Sequence, residues 1–284
     1  MATFTNQAFL TYNGVTTSSN VVTGELQDEL AITKTALSTT YSPSGDVTYI
    51  VSVVNSSATD YTGLTLTDNL GSYTYGQSAL YPLSYTAGSI KLYLNGVLQP
   101  TPSVTAVSPL TVTGINIPSG ANAQIIYQSS VTSYAPPATG GTVTNTAGLS
   151  GGNLVTPVSA DYTINADAAP ILEISKAISP STVTEGGTIV YTFVIQNTGN
   201  APAVAATAAS ITDTFEPVLQ NLTASYNGTA WTAGTEYTYD TSTGSFVSTA
   251  GAITVPAATY TQNTTTGEWN VNPGIGTLVI SGNI

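Results

Sequence analysis

Three features of the sequence predict an all-β chain. Runs rich in Val, Ile, Thr and Tyr alternate at period two, Gly, Pro and Asn turns separate them at short intervals, and one order of such runs occurs twice within the 284 residues. Strands of this kind in this order indicate two tandem immunoglobulin-like Greek-key β-sandwiches. No stretch reads as a long amphipathic helix. The length suits two domains of about 100 to 150 residues. The expected division is residues 25–165 and 166–284, preceded by a strand and connector over residues 1–24.

The chain opens with Phe4-Thr5-Asn6-Gln7-Ala8-Phe9-Leu10, whose near copy, Val143-Thr144-Asn145-Thr146-Ala147-Gly148-Leu149, stands in mid-chain. Alternation of Phe4, Asn6, Ala8 and Leu10 marks the first copy as a strand continuing through Tyr12 to a turn at Asn13-Gly14, a favoured hairpin dipeptide. Residues 11 to 29, rich in Thr, Ser, Asn and Gly, read as an extended connector able to cross between subunits.

The first repeat follows as Leu30-Ala31-Ile32-Thr33-Lys34, a turn at Pro43-Ser44-Gly45, Val47 to Asn55, and Leu64-Thr65-Leu66-Thr67-Asp68. The second reads Leu172-Glu173-Ile174-Ser175-Lys176, a turn at Glu185-Gly186-Gly187, Ile189 to Asn197, and Ile211-Thr212-Asp213. Lys34 to Tyr49 and Lys176 to Tyr191 both span 15 positions, and Tyr49 to Asn55 and Tyr191 to Asn197 both span 6. Only the next interval differs, 13 from Asn55 to Asp68 against 16 from Asn197 to Asp213, which reads as a loop insertion. Each repeat then carries a hairpin signal, Asn95-Gly96 or Asn227-Gly228, and a late strand, Gln124 to Tyr127 or Leu278 to Ile280.

The first repeat runs on to the Val143 strand, whereas the second is expected to lack its copy. A sandwich short of a strand exposes unpaired edges and an apolar groove. The Phe4 to Leu10 strand of a neighbouring subunit is expected to fill it, with Phe4, Asn6, Ala8 and Leu10 at the interface, in the donor-strand mode. Such a heterologous contact generates a ring or an open fibre. The partner so implied is the chain itself, in a head-to-tail homopolymer.

Composition narrows the chemistry. Charged residues make up 6% of the chain, against roughly 25% in ordinary soluble domains. The net charge is -12, with Lys34, Lys91 and Lys176 the three cations, so nucleic acid and anionic membrane surfaces are repelled. His, Arg and Cys are absent, which removes His-based triads, His- and Cys-ligated zinc, Arg clamps on phosphate, and disulfides. No cofactor, metal site, membrane insertion or enzyme activity on an external substrate is expected. No run of 18 apolar residues exists and Met1-Ala2-Thr3-Phe4 does not open a signal peptide, so either a leader has been removed or the chain reaches the surface without one.

Two of the three lysines occupy one place in the two repeats. Lys34 shares a strand face with Leu30 and Ile32, and Lys176 with Leu172 and Ile174, so both ammonium groups are expected to point inward. The same parity turns Asp68 and Asp213 inward, together with Asn145 of the mid-chain strand and Asn6 of the first strand. Burial lowers a Lys pKa and raises an Asp pKa. A neutral amine, a carboxamide and a protonated carboxyl in a dry core form the constellation for a spontaneous isopeptide bond, with ammonia leaving. The candidate bonds join Lys34 to Asn145 with Asp68 assisting, and Lys176 to Asn6 of the next subunit with Asp213 assisting. A buried ion pair with the Asn satisfying spare donors, or lysines snorkelling at strand ends, is the plainer reading of the same residues.

Val47-Thr48-Tyr49 through Asn55 to Leu66-Thr67-Asp68-Asn69-Leu70, and Ile189-Val190-Tyr191 through Asn197-Thr198-Gly199 to Ile211-Thr212-Asp213-Thr214-Phe215-Glu216-Pro217, resemble the prokaryotic conserved repeat domain found in tandem in surface proteins. The resemblance spans most of residues 30 to 284 and implies an immunoglobulin-like fold in a cell-surface or extracellular structural protein. The first repeat departs from it in lacking Pro after Asn69-Leu70. The Lys, Asp and Asn arrangement also resembles B-type domains of collagen adhesins, which usually place Glu where Asp68 and Asp213 stand.

Two weaker signals remain. Tyr73, Tyr75, Tyr81 and Tyr85, with Trp231, Tyr237, Tyr239 and Trp269, read as packing or inter-subunit aromatics, and otherwise as sugar-stacking groups. Glu25, Asp28, Glu29, Asp161 and Asp167 lack the spacing of a calcium loop and read as solvated acids. The sequence therefore predicts a fibre or pilus-like subunit at the outside of a cell or spore, with an adhesin or glycan-binding module as the alternative.

Overall fold

The computed structural model describes residues 2–26 and 30–284, and the side chains of residues 4–24 and 30–284. The first strands are β1 (Ala2–Asn6), β2 (Phe9–Tyr12), β3 (Val15–Ser18) and β4 (Val22–Leu26). Here the structure corrects the expected continuous strand and extended connector. The strand breaks at Gln7 and Ala8, and residues 15–26 fold back on it, β2 pairing with β3 and β1 with β4. The reason is local. Asn13 and Gly14 take φ of 46° and 77°, the left-handed pair a tight hairpin turn requires. Ser19 pins the bend, its hydroxyl accepting the Ala8 N–H at 2.9 Å and its carbonyl accepting Gln7 Nε2 at 2.8 Å. The result is a two-stranded ribbon on which Phe4, Phe9, Leu10, Tyr12, Val15, Val21 and Val22 are all exposed.

From Leu30 the chain runs through β5 (Leu30–Ala36), β6 (Thr40–Tyr41), β7 (Asp46–Asn55), β8 (Tyr61–Asp68), β9 (Tyr73–Tyr75), β10 (Ser78–Leu80), β11 (Leu83–Tyr85), β12 (Lys91–Leu94), β13 (Val97–Leu98), β14 (Ser103–Val107), β15 (Leu110–Ile117), β16 (Asn122–Val131), β17 (Thr142–Ser150) and β18 (Val158–Ala166). One six-stranded sheet has the order β13-β12-β16-β7-β5, with β11 also on β16, and the other β14-β15-β8-β17-β18-β6. Alternate residues such as Val47, Tyr49, Val51 and Val53 of β7 face Leu64 and Leu66 of β8 across one buried core.

A second, separate core lies between shorter sheets. Its strands are β19 (Leu172–Ser179), β20 (Thr188–Asn197), β21 (Thr212–Thr214), β22 (Gln220–Tyr226), β23 (Thr229–Ala230), β24 (Tyr237–Asp240), β25 (Ser245–Ser248), β26 (Thr259–Gln262), β27 (Trp269–Asn272) and β28 (Gly274–Asn283). The order β19-β20-β28-β22-β23 repeats the first sheet of the first sandwich. Leu30 pairs with Asn55 and Leu172 with Asn197, in one register. The facing sheet differs. It has three strands, β21-β25-β24, and β26 with β27 forms a separate hairpin. Strand β21 meets β25 as β8 meets β15, Asp213 opposite Phe246 and Asp68 opposite Leu110. On its other side β8 carries β17 and then β18, whereas among the described residues no strand pairs with β21 there.

The consequence is visible in burial. Leu30 of β5 is 4% exposed and its counterpart Leu172 of β19 is 39% exposed. Every residue of β19 is exposed, including the inward-parity Ile174 and Ile178. Leu172, Ile174, Ile195, Ala209, Ile211 and Ile253 line the open groove that results.

Candidate functional site

In the first sandwich β5 carries Lys34 inward from one sheet and the end of β8 carries Asp68 inward from the other. Lys34 Nζ donates to Asp68 Oδ2, and both side chains are wholly buried. The Tyr127 hydroxyl donates to the same oxygen, and the Leu70 N–H donates to Asp68 Oδ1 at 2.9 Å. The ammonium sits 4.8 Å from the centre of the Tyr49 ring and 5.9 Å from that of Tyr127. Burial outweighs the attraction of Asp68 and, after it, Asp161, and brings the Lys34 pKa down to about 8. Burial also pushes the phenols of Tyr49 and Tyr127 upward, so both stay protonated.

Asn145 enters from β17, two residues along from the Ala147 that pairs with Asp68. Its carboxamide adjoins the hydroxyls of Tyr49 and Tyr127. Yet Asn145 is wholly buried, and among the described residues neither Oδ1 nor Nδ2 has a hydrogen-bond partner, nor does the Tyr49 hydroxyl. Orphaned polar atoms of this kind cost about 1–3 kcal/mol each and are rare in folded cores.

The second sandwich holds the same pair in a different setting. Lys176 Nζ donates to Asp213 Oδ2, but the two side chains are 40% and 18% exposed. The ammonium lies 4.7 Å from the Tyr191 ring centre, 5.3 Å from Phe193 and 5.2 Å from Phe215. Tyr127, opposite Tyr49 in β16, is replaced by Ile280, opposite Tyr191 in β28. Among the described residues no strand stands where β17 brings Asn145 to the first pair. Asn6 lies exposed in β1, opposite Val22.

Tyr127 was not legible as a member of the site, because its place depends on the pairing of β16 with β7. The signal that could have found it is the parity of Ile125, Tyr127 and Ser129, all buried. Two further residues, Asn55 and Asn197, were legible only as repeat markers. Each is wholly interior and clamps a loop. Asn55 Nδ2 donates to the carbonyls of Thr59 at 2.9 Å and Pro118 at 2.9 Å, and Oδ1 accepts Ser57 N at 3.1 Å. Asn197 Nδ2 donates to Ala201 and Pro256, and Oδ1 accepts Gly199 N and Ile171 N. Asn55→Ala is expected to destabilise the first sandwich by about 3 kcal/mol, since several buried partners lose their bonds at once. Urea unfolding monitored on the Tyr signal measures this, and an unchanged midpoint contradicts the clamp.

The aromatic residues are largely committed to packing. Gln262 Nε2 donates to the Tyr73 hydroxyl at 2.9 Å and the Tyr75 hydroxyl donates to Asn263 O at 3.2 Å, tying the β9 region to the β26–β27 hairpin. Trp231 stacks on Tyr226, and Tyr237 on Phe246. Of the acidic set, Asp28, Glu29 and the Glu25 side chain lie outside the described residues. Among the described residues no three His, Cys, Asp or Glu side chains cluster, and no helix is long and apolar enough to cross a membrane.

No protein-family model and no curated protein matches the chain. Several solved structures are similar to it. The pilus backbone RrgB of Streptococcus pneumoniae aligns over 87% of this chain and 55% of its own, at 12% identity and a TM-score of 0.36. BcpA, the major pilin subunit of Bacillus cereus, aligns over 75% of this chain and 69% of its own, at 13% identity and a TM-score of 0.39. The collagen-binding domain of a Staphylococcus aureus adhesin aligns over 47% of this chain and 96% of its own, at 13% identity and a TM-score of 0.31.

Proposed function

We propose that the chain is the structural subunit of an extracellular or surface fibre, assembled head to tail by donation of the Phe4–Leu10 strand into the second sandwich of the next subunit. One observation carries this reading. The same Lys-Asp pair stands in both sandwiches, sealed under the Asn-bearing β17 in the first and open in the second, while an Asn-bearing copy of β17 lies exposed in the ribbon. Seated against β21, that copy supplies main-chain hydrogen bonds to a bare edge and buries Phe4, Ala8 and Leu10. At roughly 25 cal/mol per Å² of apolar surface, the three side chains contribute several kcal/mol. We read residues 25–165 and 166–284 as the two domains so linked, with residues 1–24 as donor and connector.

The same arrangement supports autocatalytic isopeptide bonds, Lys34 to Asn145 within a subunit and Lys176 to Asn6 between subunits. Lys34 passes one proton to Asp68 and becomes a neutral amine. Its Nζ attacks Asn145 Cγ while the Asp68 carboxyl hydrogen-bonds Oδ1, and a proton moves from Nζ to Nδ2 through the carboxylate. The Cγ–Nδ2 bond breaks, ammonia leaves and a secondary amide remains. The lowered Lys34 pKa favours the first step. Loss of Nδ2 also removes one of the orphaned atoms of Asn145.

Electron microscopy of the full chain beside a variant lacking residues 1–13 tests assembly. Fibres are expected from the first and single subunits from the second. Fibres from both would show that another surface drives assembly.

A further inference from the structure

The vacancy in the second sandwich is two strands wide. In the first sandwich β17 lies along β8, and β18 lies beyond it, pairing with β17 on one side and with β6 on the other. It is β18 that packs across β5, with Val158, Tyr162, Ile164 and Ala166 turned to the core. The second sandwich lacks counterparts of both strands among the described residues. A single donated strand along β21 replaces β17 and leaves β19, the counterpart of β5, uncovered. Yet β19 carries Leu172, Ile174 and Ile178 at inward parity, and all three are exposed.

The ribbon contains a second match. Val22-Thr23-Gly24-Glu25-Leu26 of β4 repeats the order of Val158-Ser159-Ala160-Asp161-Tyr162 of β18: a Val, a small hydroxyl residue, a residue no larger than Ala, an acid and a large apolar residue. Both are the second strand of an antiparallel hairpin whose first strand carries the Asn copy. Both also lead by a short link into the first strand of a sandwich, at Leu30 and at Leu172.

We infer that the donated unit is the whole hairpin, Phe4–Leu10 taking the place of β17 and Val22–Leu26 that of β18, so that a second copy of this chain completes both missing strands. The inference rests on the donor-strand reading and deepens it. It carries a change of register. In β17 and β18 Gly148 pairs with Ser159 and Leu149 with Val158, which translates to Phe9 opposite Thr23 and Leu10 opposite Val22. In the free ribbon Phe9 instead faces Ser18, and Thr23 faces Thr5. Donation therefore moves Thr23 four residues along the first strand, from Thr5 to Phe9, replaces β3 by β4 as the partner of Phe9 and Leu10, and straightens the bend at Gln7 and Ala8. The slip of β4 along the first strand is even, so the side chains of β4 keep their faces relative to β1. Each joint between subunits then repeats the order inside the chain, hairpin, link and next sandwich.

The chain has no Cys, so engineered pairs report without background. In the first sandwich Thr67, Gly148 and Ser159 form one row across three strands, which translates to Thr212 of one subunit, then Phe9 and Thr23 of the next. Paired strand residues have Cα separations of about 4.5–5.5 Å, within disulfide range. Fibres of F9C/T212C and of F9C/T23C, oxidised and mapped by non-reducing peptide mass spectrometry, are the test. Both disulfides are expected in fibres, the F9C/T23C bond rising at least tenfold over unassembled subunits. An F9C/T212C bond with F9C and T23C left as free thiols would overturn the hairpin and leave single-strand donation standing. Absence of the F9C/T212C bond from fibres would overturn both.

Discussion

Boiled in detergent, fibres of the wild-type chain are expected to run as a ladder of covalent multimers, and fibres of Lys176→Ala as single subunits. On the donor-strand proposal the strand would be held by main-chain hydrogen bonds and a few apolar side chains, and detergent competes with both. An amide from Lys176 to Asn6 is indifferent to it. Lys176 already lies against Asp213 in a ring of Tyr191, Phe193 and Phe215, so what the site lacks is the carboxamide and the cover that dries it. Asp213→Ala and Asn6→Ala are expected to give fibres that dissociate in the same way, because each removes a reactant or the group that relays its proton. Wild-type fibres that fall apart to single subunits would refute the intersubunit bond while leaving strand donation intact. Gel electrophoresis of purified fibres makes the distinction in one lane per variant.

The native subunit is expected to weigh one ammonia less than its sequence, and Asn145→Ala to have its full sequence mass and melt roughly 15 °C lower. A bond from Lys34 to Asn145 closes a loop of roughly 110 residues, for which the loss of chain entropy in the unfolded state stabilises by about 5 kcal/mol. A pH dependence separates this from a simple packing defect. In Asn145→Ala the Lys34 side chain remains an amine, with a folded pKa of about 8 against 10.5 in the unfolded chain. Between those values the unfolded chain binds a proton that the folded chain lacks, so stability rises with pH across the window, by on the order of 3 kcal/mol. In the wild type Lys34 is expected to be an amide nitrogen, and the rise is expected to be absent. Intact mass spectrometry and thermal melts from pH 7 to about 11 check both statements. A wild-type subunit of unmodified mass would sink the Lys34 bond and leave a buried ion pair in its place.

The sequence by itself determined the strand content, the twofold repeat and the inward parity of Lys34, Asp68, Asn145, Lys176 and Asp213, because side chains alternate at period two along any strand. The likeness of Phe4–Leu10 to Val143–Leu149 was legible for the same reason. What lies across strands was not. Tyr127 joins Asp68 only through the register of β16 on β7, and its replacement by Ile280 appears only once β28 is laid on β20. The connector expected to be extended folds back as β3 and β4, since an isolated strand leaves a row of N–H and C=O groups that a nearby segment can satisfy. Most of all, the width of the vacancy belongs to the tertiary structure. Period two says which face of β19 is apolar, but only the packing of β18 across β5 shows which strand covers the corresponding face in the first sandwich.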